Sequence, residues 1–402
     1  MIAKPAAPTG AVQGLLAIEL TDTPAAAFAA ALAADFGATV IVCEPAEGSG
    51  LRDLGSPSVR DVWWSILARN KLSLGIDIVH PKAGPVLERL AAHADILFRD
   101  DGTDAAEAAE HITRAEELLD VRIYPPGSDR PDLWPWSVRP EFAAAATGMM
   151  ALTGFSDGDP TQPEIPLADY SAGMMALSLA MAELRQSRLQ GRKPRNVELG
   201  LHEALHRMNE WHIIVATAHG RAELRNGNRF PMNANIGNIF STRDGKLLTV
   251  SAATPSVADR LLNMIGGADL RDDSRFSTPT ARSENMDTLD AVVAEWFSQH
   301  DMEEAMRLVQ ENDVVVGPIN DARDLFAHDH ITERADITRS RDEIGSGIHM
   351  PSVLPFMSPG TGDVRHLGPE AGADTEQVMK MLGFSATEVS ALFDAKIIWS
   401  QS

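Results

Sequence analysis

The stretch Ile165-Pro166-Leu167-Ala168-Asp169-Tyr170-Ser171-Ala172-Gly173 sets one carboxylate against the start of a long apolar segment. Small and apolar residues from Ala172 to Leu184 read as a largely buried helix, and an acid at its first turn sits in the positive end of the helix dipole. Such an Asp stays ionised and can act as a nucleophile. The same residue type at the same place also serves as a plain N-cap that satisfies free backbone N–H groups, so the segment alone leaves Asp169 as nucleophile or as cap. His202 and His206 lie one helical turn apart, the spacing of a metal pair. No third ligand has suitable spacing, so they read as packing or surface histidines and no metal site is expected. The methionines at 149, 150, 174, 175 and 181 suit a deformable ligand surface, although buried packing is the simpler account.

The elements that must position Asp169 follow from periodicity and punctuation. Leu15 to Leu20 is a short apolar run of strand character. Thr23-Pro24 supplies an N-cap and a first-turn proline, Ala25 to Phe36 is a helix stopped by Gly37, and Thr39 to Glu44 is the next strand. This closes a βαβ unit and implies a parallel sheet. Leu74 to Ile78, Pro81 to Ala92 and Asp95 to Phe98 continue the α/β alternation. The turn Thr21-Asp22-Thr23 carries no glycine, so a Gly-rich phosphate turn for a nicotinamide or flavin dinucleotide is missing. Long helices are expected over Glu141 to Leu152, Ala172 to Arg185 and Leu201 to Ala218. Asn226 to Ile239 is a polar connection. A second compact unit follows, with strands at Leu247 to Ser251 and Val314 to Ile319 and helices at Val257 to Ile265, Met286 to Gln299 and Met302 to Glu311. Arg339 to Gly347 suits a linker, and helices over Asp374 to Leu382 and Ala386 to Ala395 close the chain.

The 402 residues exceed what one hydrophobic core usually serves, about 250–300 residues. With 35 Lys plus Arg against 57 Asp plus Glu, the formal charge of -22 argues against a nucleic-acid or anionic-membrane partner. Cys43 is the only cysteine, which excludes an internal disulfide and suits a reducing, cytoplasmic setting. The first residues lack signal-peptide character, and no apolar run approaches the length of a membrane span.

Read in order, these segments resemble the class III CoA-transferase family, which also contains alpha-methylacyl-CoA racemases. Leu15 to Leu20 followed by Leu32 to Pro45 looks like the family's opening strand, helix and "ADxGAxVIxVEP" turn. Asn70 to Ile78 is similar to its "NRxKxSxxLDL" segment. Thr147 to Gly154 and then Pro166 to Gly173 match the helix and catalytic-Asp region. Asp273 to Phe276, Trp296-Phe297, Gly317 to Asn320, Leu325 to His328 and Leu367-Gly368 fit the later pattern.

The resemblance implies a CoA-transferase that moves CoA from an acyl-CoA thioester to a carboxylic acid. Asp169 is then the covalent nucleophile, with an aspartyl mixed anhydride followed by an aspartyl-CoA thioester. Coenzyme A and acyl-CoA enter as substrates, with no permanently bound cofactor. The implied fold is α/β: a Rossmann-like large domain with a parallel sheet plus a smaller α/β domain, joined by long linkers in an interlocked homodimer. Residues 1–205 and 361–402 form the large domain, 230–330 the small one, and 206–229 and 331–360 the linkers. Arg52, Lys71 and Arg99 are the candidates for the CoA phosphates. The family's "ENFRPG" segment is replaced by Arg99-Asp100-Asp101-Gly102, and its "YGxxGP" stretch by Tyr124 to Gly127 and Trp134-Pro135-Trp136. The loop Asn233 to Asn238 is either a cover for the site or an ordinary connection. A racemase needs a second acid/base group. The family's His in a "GHDINY"-like segment has no counterpart in Arg139 to Ala144, where Glu141 is the only stand-in. The remaining alternative is a non-catalytic subunit of a heteromeric transferase.

Overall fold

The computed structural model describes residues 10–55, 60–102, 108, 110–113, 115–130, 132–133, 142–222, 225–229, 235–339, 348–358, 360 and 362–400, with the backbone alone at 60 and 61. Trp134 to Trp136, Glu141, residues 230–234 of the polar loop and 340–347 of the expected second linker lie outside them. The chain divides into two units. One comprises Met1–Met149, Gln162–Arg221 and Ile331–Ser402, and the other Met150–Thr161 and Ala222–His330.

The larger unit is built on strands β1 (Leu16–Leu20), β2 (Thr39–Glu44), β3 (Leu72–Ile76), β4 (Ile96–Arg99), β5 (Leu119–Tyr124), β6 (Val197–Gly200) and β12 (Ile398–Trp399). They form a seven-stranded sheet in the order β12-β3-β2-β1-β4-β5-β6. All pairings are parallel except that of β12, which returns antiparallel onto β3 at Ile76 and Gly75; β10 (Ile337–Arg339) and β11 (His349–Pro351) form a separate antiparallel pair. Near-continuous Val, Ile and Leu runs in the central strands suit a sheet covered on both faces. Winding runs outward from β1 in both directions, so the order reverses between β1 and β4. That is the place where open α/β sheets leave a crevice at the carboxyl ends of their strands.

Helix α1 (Pro24–Asp35) begins with its proline in the first turn, and Gly37 at φ 100° turns the chain into β2. Thr23 holds the N-cap position without a side-chain cap bond; its hydroxyl lies 3.0 Å from that of Thr21 instead. Eight alanines of α1 are buried, which lets a second helix approach closely. That helix, Leu167–Gln190, starts five residues before the expected Ala172 and ends at Gly191, whose φ of 59° gives the left-handed cap. Two of the long helices expected from sequence are broken. Gly148, at φ 81°, divides the first into short helices Ala143–Ala146 and Met149–Leu152. Asn209 divides the other into Leu201–Met208 and Glu210–His219, and its side-chain amide donates to the Thr147 carbonyl at 3.1 Å.

The smaller unit carries an antiparallel sheet of β7 (Ile236–Ser241), β8 (Leu247–Ala252) and β9 (Val315–Pro318). The strict alternation of buried and exposed residues along β8 shows one covered face. Helices Pro255–Arg271, Met286–Ser298 and Met302–Glu311 supply its cover, with Phe240 stacked on Phe297 at 5.3 Å between centroids. Among the described residues no helix is long and apolar enough to cross a membrane.

Candidate active site

Asp169 is buried in the first turn of the Leu167–Gln190 helix, at its third position and not at its cap, which Pro166 occupies. Unbonded N–H groups and the helix dipole both favour a carboxylate there. The helix is held against α1 through Gly173, one turn further on. A Cβ at Gly173 would stand 2.7 Å from the Ala25 carbonyl oxygen and 3.1 Å from the Ala29 nitrogen. Tyr170, beside the acid, stacks on Phe28 at 4.2 Å and meets Trp63 edge-on at 6.4 Å. Burial, and next the Asp169 charge, push its hydroxyl up from the usual phenol value.

Asp169 lies in the wall of a cleft of about 580 Å³ whose described lining residues all belong to the larger unit. Trp63, Met149, Ile165, Leu167 and Leu205 give it apolar walls, and Asp22 and Glu164 add carboxylates. A second cleft, of about 850 Å³, opens at the carboxyl ends of β1 to β4 and takes in Thr21, Cys43, Asp77, Asp100 and Lys396. Asp22 lines both clefts. It is fixed there by Ser49, whose hydroxyl donates at 3.1 Å, and by the Gly50 N–H at 2.8 Å. Asp100 orders the same turn, accepting from the Thr21 hydroxyl at 2.7 Å and the Asp22 N–H at 2.9 Å.

The three basic residues picked from the sequence line neither cleft. Arg52 is clamped by Glu44 at 2.8 and 2.9 Å, donates to the Pro369 carbonyl and lies over the Trp64 ring. Lys71 is fully buried; its ammonium donates to Glu19 at 2.6 Å and to the Ala27 carbonyl at 2.9 Å. Burial pulls Lys71 below the usual lysine range and pushes Glu19 up to about 7, each opposed by the attraction between them. Arg99 forms a two-pronged pair with Asp120 at 2.8 and 2.9 Å. Thus all three meet carboxylates inside the fold, and Lys71 has no surface left for a ligand. Burial alone would raise the neighbouring Asp101, but hydrogen bonds from Arg122 and Ser128 hold it below the usual carboxylate range.

Sequence reasoning missed Asp22, Trp63 and Leu205 in the Asp169 cleft, and Lys396, the only Lys or Arg among the described residues lining the larger one; it named Met149 as suited to a ligand surface but preferred buried packing, whereas the residue lines the cleft. A usable signal existed for Asp22 alone, since it follows the first strand of a βαβ unit, where such folds place ligand contacts. His202 and His206 meet edge to face at 5.7 Å. No group of three or more His, Cys, Asp or Glu suited to a metal occurs among the described residues.

A helix-terminal carboxylate on an apolar cleft lies beside a crevice at the switch point of a doubly wound sheet, a place with room for an extended ligand. The sequence profile of CoA-transferase family III matches residues 12–115 and 135–375. The chain belongs to that family. This family III chain is 27% identical over 399 residues to the succinyl-CoA–L-malate CoA-transferase beta subunit of Chloroflexus aurantiacus, covering 96% of this chain and 97% of the other. It is 28% identical over 393 residues to the succinyl-CoA–D-citramalate CoA-transferase of the same organism, covering 95% and 96% of the two chains. The human succinyl-CoA:glutarate CoA-transferase is 24% identical over 408 residues, with 96% and 90% covered. A CAIB/BAIF family protein from Brucella suis shares the fold, with a TM-score of 0.80 at 21% identity, over 93% of this chain and all of that one.

Proposed function

We propose that the protein moves CoA from an acyl-CoA thioester to a carboxylic acid through a covalent intermediate on Asp169. The observation that carries the reading is the placement of this carboxylate at a helix N-terminus, in an apolar cleft adjoining the switch-point crevice. Asp169 attacks the thioester carbonyl carbon, the C–S bond breaks, and CoA thiolate leaves a mixed anhydride behind. The thiolate then attacks the aspartyl carbonyl and the donor acid departs as carboxylate, leaving an aspartyl-CoA thioester. The acceptor carboxylate attacks that thioester, releasing the thiolate and forming a second anhydride. Thiolate attack on the acceptor's acyl carbon frees the new acyl-CoA and restores Asp169. Charge is conserved throughout and no electrons are gained or lost, so the cycle requires neither a metal nor a permanently bound cofactor. Apolar walls suit the chemistry, because the anhydride must be kept from water.

The larger cleft takes the nucleotide end of CoA in this reading, with Lys396 as its phosphate contact. The enzyme acts as a homodimer. Supporting this, the Glu210–His219 helix has no buried residue, and Trp211, Ile213 and Ile214 are each about half exposed. Met174, Met175 and Leu179 extend the apolar surface on the Asp169 helix. A second chain covers these faces, and a cytoplasmic setting fits the lone cysteine.

The test is mass spectrometry after incubation with acyl-CoA esters, together with a transfer assay. Asp169 should gain the mass of an acyl or CoA adduct, and Asp169→Ala should lose both adduct and turnover. Retention of more than a few per cent of activity in that variant excludes the covalent role.

A further inference from the structure

The named relatives act on dicarboxylates, yet the acyl end of this cleft is built for something else. Trp63, Met149, Leu167 and Leu205 form its apolar wall, while Asp22 and Glu164 stand with Asp169 as the ionisable groups among its described residues. Asp22 is held in place by the Ser49 hydroxyl at 3.1 Å and the Gly50 N–H at 2.8 Å. A second carboxylate on the acyl chain would meet negative charge or an apolar wall, and both oppose it. A hydrocarbon tail meets neither obstacle and removes apolar surface from water.

From this we infer that the enzyme selects a monocarboxylic acyl group with an apolar tail, four carbons or larger, over dicarboxylic acyl groups. The inference rests on the transferase reading and adds the substrate class to it. Asp169 takes the carbonyl end, the wall formed by Trp63, Met149 and Leu205 takes the tail, and Asp22 and Glu164 reject a distal negative charge. Butyryl and succinyl differ by a terminal methyl against a carboxylate; desolvating that charge costs more than losing a methylene, itself worth on the order of tenfold in an apolar pocket, so butyryl should outrun succinyl by at least that factor.

Isotope exchange tests it with one acid at a time: labelled butyrate into butyryl-CoA against labelled succinate into succinyl-CoA. Ligand-observed NMR of the two free acids gives a readout that needs no turnover. The expected result is butyrate exchange faster by at least about tenfold and butyrate the tighter ligand. Met149→Lys, which puts an ammonium on the wall, should narrow or reverse the ratio. Succinate exchange as fast as butyrate exchange, abolished by Asp169→Ala, overturns this inference and keeps the transferase reading. Preferential butyrate binding without exchange of either acid overturns the transferase reading and keeps the apolar cleft. Succinate binding as tightly as butyrate overturns the selectivity in either case.

Discussion

Substituting Gly173→Ala separates helix propensity from helix packing, because the two predict opposite signs. Gly173 lies inside the Leu167–Gln190 helix, where alanine is intrinsically better by about 1 kcal/mol. An added Cβ, however, would stand 2.7 Å from the Ala25 carbonyl oxygen, short of the 3.4 Å at which ordinary contact begins. The Ala29 nitrogen and the Phe28 ring at 3.1 Å close the other directions. The obstacle is backbone of a helix whose alanines are themselves buried, so the two helices must part by several tenths of an ångström. Overpacking of this kind costs about 1–3 kcal/mol, which cancels or exceeds the propensity gain. We expect net destabilisation of about 1 kcal/mol, read as a lower urea midpoint at unchanged slope. Asp169 lies one turn away on the same face, so kcat should fall as well, by on the order of tenfold. Gly173→Val should be worse on both counts. A Gly173→Ala protein more stable than wild type by about 1 kcal/mol, with full activity, would refute the close approach as the reason for this glycine.

Lys71→Met leaves Glu19 buried without its partner and should cost about 3–5 kcal/mol in urea unfolding, whereas Glu19→Leu with Lys71→Met should recover most of it; a single variant as stable as wild type sinks the pairing. Glu183 is held far below its ordinary value of 4.5 by hydrogen bonds from Arg192 and then Arg195, so its contribution to stability is present above pH 4.5 and lost as the pH falls below it. The stability gap between wild type and Glu183→Gln should therefore close on acidification, and a gap that widens below pH 4.5 contradicts the sign. A transferase leaves the α-proton of its substrate alone, so a 2-methylacyl-CoA incubated in deuterated water should gain no deuterium at the α-carbon. Rapid exchange that is lost in Asp169→Ala would make the chain a racemase.

The parallel core was legible because its strands are written as apolar runs with clear punctuation. The expected strand Thr39 to Glu44 coincides with β2, and the proline and glycine around α1 mark its two ends. β5 and β6 went unread for a physical reason. Leu119–Tyr124 carries Asp120 and Arg122, which pair with Arg99 on β4 and Asp101 just beyond it, so its alternation looks like a charged surface segment. The long helix after Glu141 failed at Gly148, whose left-handed φ a propensity reading treats as a mild cost. Asp169 was legible as a type at a helix start. Its cleft was not, because Trp63, Asp22, Met149 and Leu205 arrive from four separate stretches of chain.

The basic residues show the same limit more sharply. Arg52, Lys71 and Arg99 attract notice because a cation near a Rossmann-like crevice could meet phosphate, and sequence spacing cannot tell a cation aimed outward from one already answered. Each is answered here: Glu44, Glu19 and Asp120 lie on β2, β1 and β5, and the pairs connect neighbouring parts of the sheet's frame. Breaking any of them for a ligand would leave a carboxylate uncompensated in a largely buried place, which no transient phosphate contact repays. In the proposed reading a phosphate contact therefore comes from a cation outside these three pairs. Lys396 sits on the larger cleft at a left-handed turn, between the last helix and β12, where β12 packs antiparallel against β3. The return of the chain's end to the sheet edge places this lysine at the crevice, and that return is a property of topology that no local motif around residue 396 records.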